Sequence, residues 1–154
     1  VSSTAYPQRQ VQPVVQAAAY AAGQSIGGLL AFTYAAPVSG GAAIIQGVTV
    51  TFASGVVPLL DLVLFSAAPT GGTITDRAAV VIAPADLNKI IGVVHITDAT
   101  LLGAAAPSVM QATAQVMPFD LASGTALYGV LIARGAATLG STTDVIIALN
   151  VMWG

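Results

Sequence analysis

From residue 26 onward, apolar and polar residues alternate with a period of two, in short runs rich in Val, Ile, Thr and aromatics separated by Gly, Pro and Ser. Successive side chains of a strand point to opposite faces, so this alternation marks strands with one buried face. The runs predict strands over residues 26–34, 43–53, 59–66, 90–97, 109–117, 126–134 and 144–152. In Val48-Thr49-Val50-Thr51-Phe52 the hydroxyls fall on one side and the apolar groups on the other. Met110, Ala112, Ala114 and Val116 alternate likewise with Gln111, Thr113 and Gln115. Asp61-Leu62-Val63-Leu64-Phe65 and Val145-Ile146-Ile147-Ala148-Leu149 instead carry aliphatic groups on both sides, which predicts central strands or strands covered by a partner.

Turn chemistry agrees with this division. Ser39-Gly40-Gly41, Thr70-Gly71-Gly72 and Ser123-Gly124 supply the positive-φ positions of tight connections. The one helical signal is Pro84-Ala85-Asp86-Leu87-Asn88-Lys89, with Pro early in a first turn and an acid close behind. The Ala-rich stretch 17–22 is too short to hold a helix alone. Seven to eight strands at this spacing predict an all-β fold, an antiparallel sandwich or jelly-roll-like arrangement with at most one short helix.

Residues 1–16 are polar and contain Pro7 and Pro13 beside Gln8, Arg9, Gln10, Gln12 and Gln16. They suit either an extended N-terminal arm that reaches a neighbour or a first strand near residues 11–17 preceded by loose chain. Residues 17–154 then make one β-sandwich domain, a size that buries a core without disulfides. There is no convincing internal repeat and no long linker.

Charge changes the picture more than length does. Charged residues make up 6% of the 154, against about 25% in an ordinary soluble domain. All six acids are Asp, the four cations are Arg9, Arg77, Lys89 and Arg134, and the formal net charge is −2. Such a chain has no phosphate-binding patch, so nucleic acid is not an expected partner. Although 56% of residues are hydrophobic, Gly, Pro, Asp, Gln or Thr interrupts every apolar stretch well short of the roughly 20 residues of a spanning helix. Membrane insertion is therefore not expected, and residues 1–12 lack the pattern of a secretory signal. With no Cys there are no disulfides or thiolate metal sites. A surface so poor in charge is expected to be covered by self-association or by a partner, or else to be coated with neutral Ser, Thr, Gly, Ala and Gln.

Chemistry-bearing patterns are sparse. Gly23-Gln24-Ser25-Ile26-Gly27 satisfies the G-x-S-x-G nucleophile pattern, but that motif needs a strand, a sharp turn and a helix, whereas Ser25 leads into a strand. His95 is the only histidine, shares a strand face with Ile91 and Val93, and reads as a packed or interface imidazole without a second metal ligand at a suitable spacing. Asp61, Asp76, Asp86, Asp98, Asp120 and Asp144 are spread singly, most of them at strand ends or turns where an Asx side chain bonds nearby backbone. No phosphate-binding Gly-Lys-Ser or Gly-Lys-Thr occurs. Tyr6, Tyr20, Tyr34, Tyr128 and Trp153 read as core or interface anchors, with sugar-stacking platforms the alternative use. The expectation is a protein that is not an enzyme and has no catalytic residue, cofactor or metal. Its interface residues are expected to include Gln8, Arg9, Gln10, Gln12 and Trp153.

Several segments resemble small virion structural proteins of tailed bacteriophages. The residues that carry the resemblance are Ala19-Tyr20-Ala21-Ala22-Gly23 running into Ile26-Gly27-Gly28-Leu29-Leu30, then Asp61-Leu62-Val63-Leu64-Phe65. Further on it continues through Ala85-Asp86-Leu87 with Ile90-Ile91-Gly92-Val93-Val94, then Leu127-Tyr128-Gly129-Val130-Leu131-Ile132-Ala133-Arg134 and Thr143-Asp144-Val145. The resemblance implies a β-sandwich component of a phage particle, a cement or decoration protein on the capsid surface whose partners are the major capsid protein and its own copies. It supplies no functional residue.

Three functions follow as expectations. Capsid cementing predicts stoichiometric copies on the head and symmetric assembly. A receptor- or glycan-binding head-fibre or tail accessory module predicts few copies and binding to host envelope sugars. An enzyme acting on cell-wall polymer would need a titratable pair beside an aromatic cleft.

Overall fold

The computed structural model describes residues 8–103 and 107–153, and over these the chain is all-β. In chain order the strands are β1 (Gln8–Val11), β2 (Ala19–Tyr20), β3 (Ser25–Phe32), β4 (Ala42–Phe52), β5 (Leu60–Phe65) and β6 (Ile90–Ile96). They continue with β7 (Asp98–Leu101), β8 (Ser108–Ala112), β9 (Met117–Asp120), β10 (Leu127–Ala133), β11 (Ala137–Thr138) and β12 (Val145–Met152). The helical signal forms about two turns of 3₁₀ helix, Pro84–Lys89.

Two antiparallel sheets face each other. The first runs β1-β12-β4-β8-β7, with β9 pairing β4 on the same edge as β8; the second runs β3-β10-β5-β6, and β2 and β11 make a small ribbon apart. Alternation decides the packing: in β12, Val145, Ile147, Leu149 and Val151 are buried inward, against Val48, Val50 and Phe52 of β4. The second sheet contributes Leu30, Phe32, Leu60, Leu62, Leu64, Leu127 and Leu131 to the same core. Each such side chain, fully buried, is worth roughly 1.5–3 kcal/mol of hydrophobic free energy.

The seven expected strands are present with ends displaced by a residue or two, except residues 109–117. That strand stops at Ala112, and two residues on Ala114 adopts a left-handed φ of 56° that departs from the extended backbone of a regular ladder. After the turn the chain returns to the same edge of β4 as β9. Ala114 and Val116, expected on the buried face, are consequently exposed. At the N-terminus the described residues form a strand on the edge of β12, at Gln8–Val11 and not at 11–17; residues 1–7 of the expected arm lie outside the described residues.

β6 and β7 are separated only by Thr97 yet belong to different sheets, so one extended segment turns the corner of the sandwich.

The two-sided apolar pattern of β5 has its cover within the chain. Val63, Phe65 and Val130 form a second cluster on the back of the second sheet, packed by Ile74, Val80 and Ile82 from the segment 66–83. That segment folds on itself through reciprocal Thr73 and Val81 backbone bonds of 2.7 and 3.0 Å. It docks on β3, where Ser25 N donates to Ala78 O (3.0 Å) and Val80 N to Gly23 O (3.0 Å). Gly72 makes the fold-back: its φ is +74°, and a Cβ there would collide with the Val81 carbonyl. The buried Asp86 ties the end of the segment down, accepting from Thr70 N at 3.0 Å, Gly71 N at 2.9 Å and Lys89 Nζ at 2.7 Å.

Candidate contact face

Since the back of the second sheet is roofed by residues 66–83, the two faces of the sandwich differ. The outward face of the first sheet has no such roof among the described residues. Directly paired residues share a face, so register defines its composition. β12 contributes Ile146, Ala148, Asn150 and Met152; β4 contributes Ile44, Thr49 and Thr51. Val109 and Gln111 of β8 pair with Thr51 and Thr49, and Thr100 and Asp98 of β7 pair in turn with Val109 and Gln111. On the other side Gln8 and Gln10 of β1 stand opposite Asn150 and Ala148.

The face is thus a plane of hydroxyls, amides and aliphatic groups with no cation, and its two acids, Asp98 and Asp120, lie on strands at its margin. At the end where β9 pairs β4, Ala42, Ile44, Pro118, Phe119 and Asp120 line a shallow depression of about 430 Å³. The face's five strands hold 32 residues, and at about 4.8 Å between strands and about 3.4 Å per residue they make a projected plane of roughly 500 Å². That is a large part of the ~800 Å² each partner contributes to a standard interface.

The four cations make their contacts within the chain, away from this face. Arg9 Nε donates to Tyr34 O at 2.7 Å, and its guanidinium lies 5.0 Å from the Trp153 ring centroid. Trp153 Nε1 donates to Ala35 O at 3.1 Å. Arg77 Nε donates to Ala19 O at 2.8 Å, and Lys89 pairs with Asp86. Arg134 Nη1 sits 3.2 Å from Asp61 Oδ2, while His95 Nδ1 lies 2.5 Å from Asp61 Oδ1.

Asp76 accepts from the Tyr20 hydroxyl at 2.8 Å and from Gly27 N at 2.7 Å. Burial, chiefly, pushes the Tyr20 phenol up to about 12; the Asp76 carboxylate reinforces this while the Gln16 N–H opposes it. Burial also works against the charge on Asp144, but N–H donors from Gly140 (2.6 Å) and Ser54 (2.9 Å) outweigh it and hold the carboxyl below the usual range.

These positions revise several sequence expectations. His95 is not packed: its side chain is 64% exposed on the back of the second sheet, bonded to Asp61 across the β5–β6 pair. Ile91 does not share its face, because a register shift places Ile90 opposite Phe65 and lets Ile91 pack against the main core. Ser25 is fully buried, opens β3, and its Oγ accepts from Gly28 N at 3.0 Å, the Gly-flanked turn that the motif suggests outside a hydrolase context. No group of three or more His, Asp or Glu suited to a metal occurs among the described residues.

Of the expected interface residues, Gln10 falls on the open face by register, and the Gln8 backbone pairs with Asn150 while its side chain lies outside the described residues. Arg9 and Trp153 instead knit the first and last strands to the loop after β3. Gln12 Nε2 donates to Thr143 O at 3.0 Å. Tyr20 is a core anchor and Tyr128 packs on the second cluster, whereas Tyr34 is 67% exposed with a left-handed φ of 56°. Tyr6 lies outside the described residues. The outward residues Thr49, Thr51 and Gln111 were signalled by their alternation, but only strand order reveals that they adjoin.

No protein-family model and no curated protein matches this sequence. Among solved structures, the C-terminal domain of EclA, described as a sugar-binding protein, is similar at 11% identity and a TM-score of 0.30, covering 98% of this chain and 81% of that one.

Proposed function

We propose that this protein is a non-enzymatic virion structural protein, a cement or decoration protein that binds the major capsid protein on the outside of a phage head. The observation that carries the reading is the open face of the first sheet, a plane without cations that no other described residue covers, while the other sheet is roofed by the chain itself. An interface of this kind gains free energy from apolar burial and amide hydrogen bonds without desolvating charge, which would be costly. The internal pairing of all four cations serves the same end.

Co-sedimentation of the purified protein with capsid shells lacking it tests the proposal. Saturation at a fixed multiple of the capsid subunit number, with a more heat-stable shell, is the expected result. No binding, or a few copies at one vertex, overturns it.

One observation favours a second reading, a receptor- or glycan-binding module of a head fibre or tail. Tyr34 presents an exposed ring from a strained backbone, and strain of that kind concentrates at binding sites. Saturable binding of host envelope glycans, lost on removal of the Tyr34 ring, distinguishes it from the first.

A further inference from the structure

Four of the six carboxylates are engaged within the chain. Asp61 pairs with Arg134 and His95, Asp76 accepts from the Tyr20 hydroxyl and Gly27 N, Asp86 pairs with Lys89, and Asp144 accepts from Gly140 N and Ser54 N. The carboxylates of Asp98 and Asp120 have no hydrogen-bond or ion-pair partner among the described residues. Both belong to the open face of the first sheet, Asp98 opposite Gln111 and Asp120 opposite Ala42. Among the described residues the charge of that face is therefore acidic only. Pro118 stands opposite Ile44 in the same pair of strands, so Ala42, Ile44, Pro118 and Asp120 share the outer side, while Ala43 and Phe119 are buried on the inner one. The depression of about 430 Å³ that they line has an apolar floor and one exposed carboxylate beside it.

We propose that this depression receives a basic side chain, lysine or arginine, from the partner that covers the open face. The inference rests on the cement reading, in which that partner is the capsid shell. Charge complementarity selects the occupant. An apolar floor alone fits any aliphatic side chain, whereas a carboxylate beside it fits one that joins an apolar stem to a cationic head, as long basic side chains do. The stem lies across Ala42, Ile44 and Pro118, and the head meets Asp120. A second copy of this chain meeting the face with its own does not supply the cation, because Arg9, Arg77, Lys89 and Arg134 are bonded elsewhere in the chain. An acidic or phosphate-bearing surface would face two unpaired carboxylates and be repelled. Since Asp120 lies at the margin of the face, the ion pair stays in contact with water and acts chiefly on encounter and orientation.

A blocked tripeptide, acetyl-Gly-Arg-Gly-amide, tests the depression directly. Titrated into the millimolar range, it is expected to shift the amide resonances of Ala42, Ile44 and Asp120 saturably. The citrulline analogue, which keeps the shape and lacks the charge, is expected to leave them in place. Asp120→Asn and Ala42→Trp, both checked for β content by circular dichroism, are expected to abolish the shifts, whereas Asp98→Asn retains them. On capsid shells, Asp120→Asn is expected to lower affinity about 2- to 5-fold, the range of an exposed ion pair, and to flatten its dependence on salt. Ala42→Trp, which fills the depression, is expected to lower it further. Equal shifts with the citrulline analogue, or no shift at these residues, overturn the proposal. So does shell binding that both variants leave unchanged. Unmodified protein that does not bind shells at all overturns the cement reading instead, and the peptide titration still decides what the depression takes.

Discussion

The carboxylate of Asp86, almost inaccessible to solvent, accepts a 2.7 Å hydrogen bond from the Lys89 ammonium three residues further along the chain. That bond is the main reason its pKa is lowered, followed by the N–H groups of Gly71 and Thr70. A carboxyl whose folded pKa is depressed adds stability above its unfolded value, about 3.9 for Asp, and loses it as pH falls toward the folded value. Asp86→Asn is therefore expected to lower the melting temperature at neutral pH, with the gap to the unmodified protein narrowing below about pH 4. Thermal melts of both proteins at pH 7 and pH 3 check this; a gap that stays constant contradicts it.

Phe65 joins two structures, since its ring is fully buried in the small cluster between the second sheet and the segment 66–83. Phe65→Ala removes the ring and leaves a void, an expected loss of about 3–5 kcal/mol. The roof should loosen before the sandwich does. Amide exchange is expected to rise first at Thr73, Ala78 and Val80, with β4 and β12 still protected. Uniform acceleration across both sheets would show that the roof is not a separate unit.

How much of this arrangement was readable in advance depends on which residues are buried by the strand they belong to. β3, β4, β5, β10 and β12 alternate or are wholly apolar because each buries at least one face in a packed core, and their runs located them. β7 left no signal, since none of Asp98, Ala99, Thr100 and Leu101 is buried. β9 was hidden by Pro118 and by the unforeseen turn at Ala114. The roof was missed because Ile74, Val80 and Ile82 occur among turn residues, without a period. The pairing of Asp61 with His95 spans 34 positions and exists only through the β5–β6 register. The open face was half legible: alternation marked its residues, but the absence of a roof is a property of the whole chain path.

Tyr34 holds a left-handed backbone at an expense of about 1–2 kcal/mol for a non-glycine residue, while its ring buries little. Tyr34→Gly relieves that strain against an entropic loss of about 0.5–1 kcal/mol. A net stabilisation of up to about 1.5 kcal/mol is expected in chemical denaturation. The same variant separates the two functional readings. Shell binding should be retained if the protein is a cement, and glycan binding lost if the ring is a sugar platform.

Placing a cation on the open face tests the cement reading at residue level. Thr49 and Thr51 point outward from β4, so Thr49→Lys and Thr51→Lys should change stability by no more than about 0.5 kcal/mol. At a neutral interface the ammonium would be buried without a partner, at a penalty of several kcal/mol. Affinity for capsid shells is therefore expected to fall by at least about 100-fold, since each 1.4 kcal/mol is tenfold. Leu87→Lys serves as the control, because Leu87 is 56% exposed on the 3₁₀ helix that leads into β6 of the second sheet. Shell binding that survives both face substitutions but fails on Leu87→Lys would move the contact to the roofed side of the sandwich.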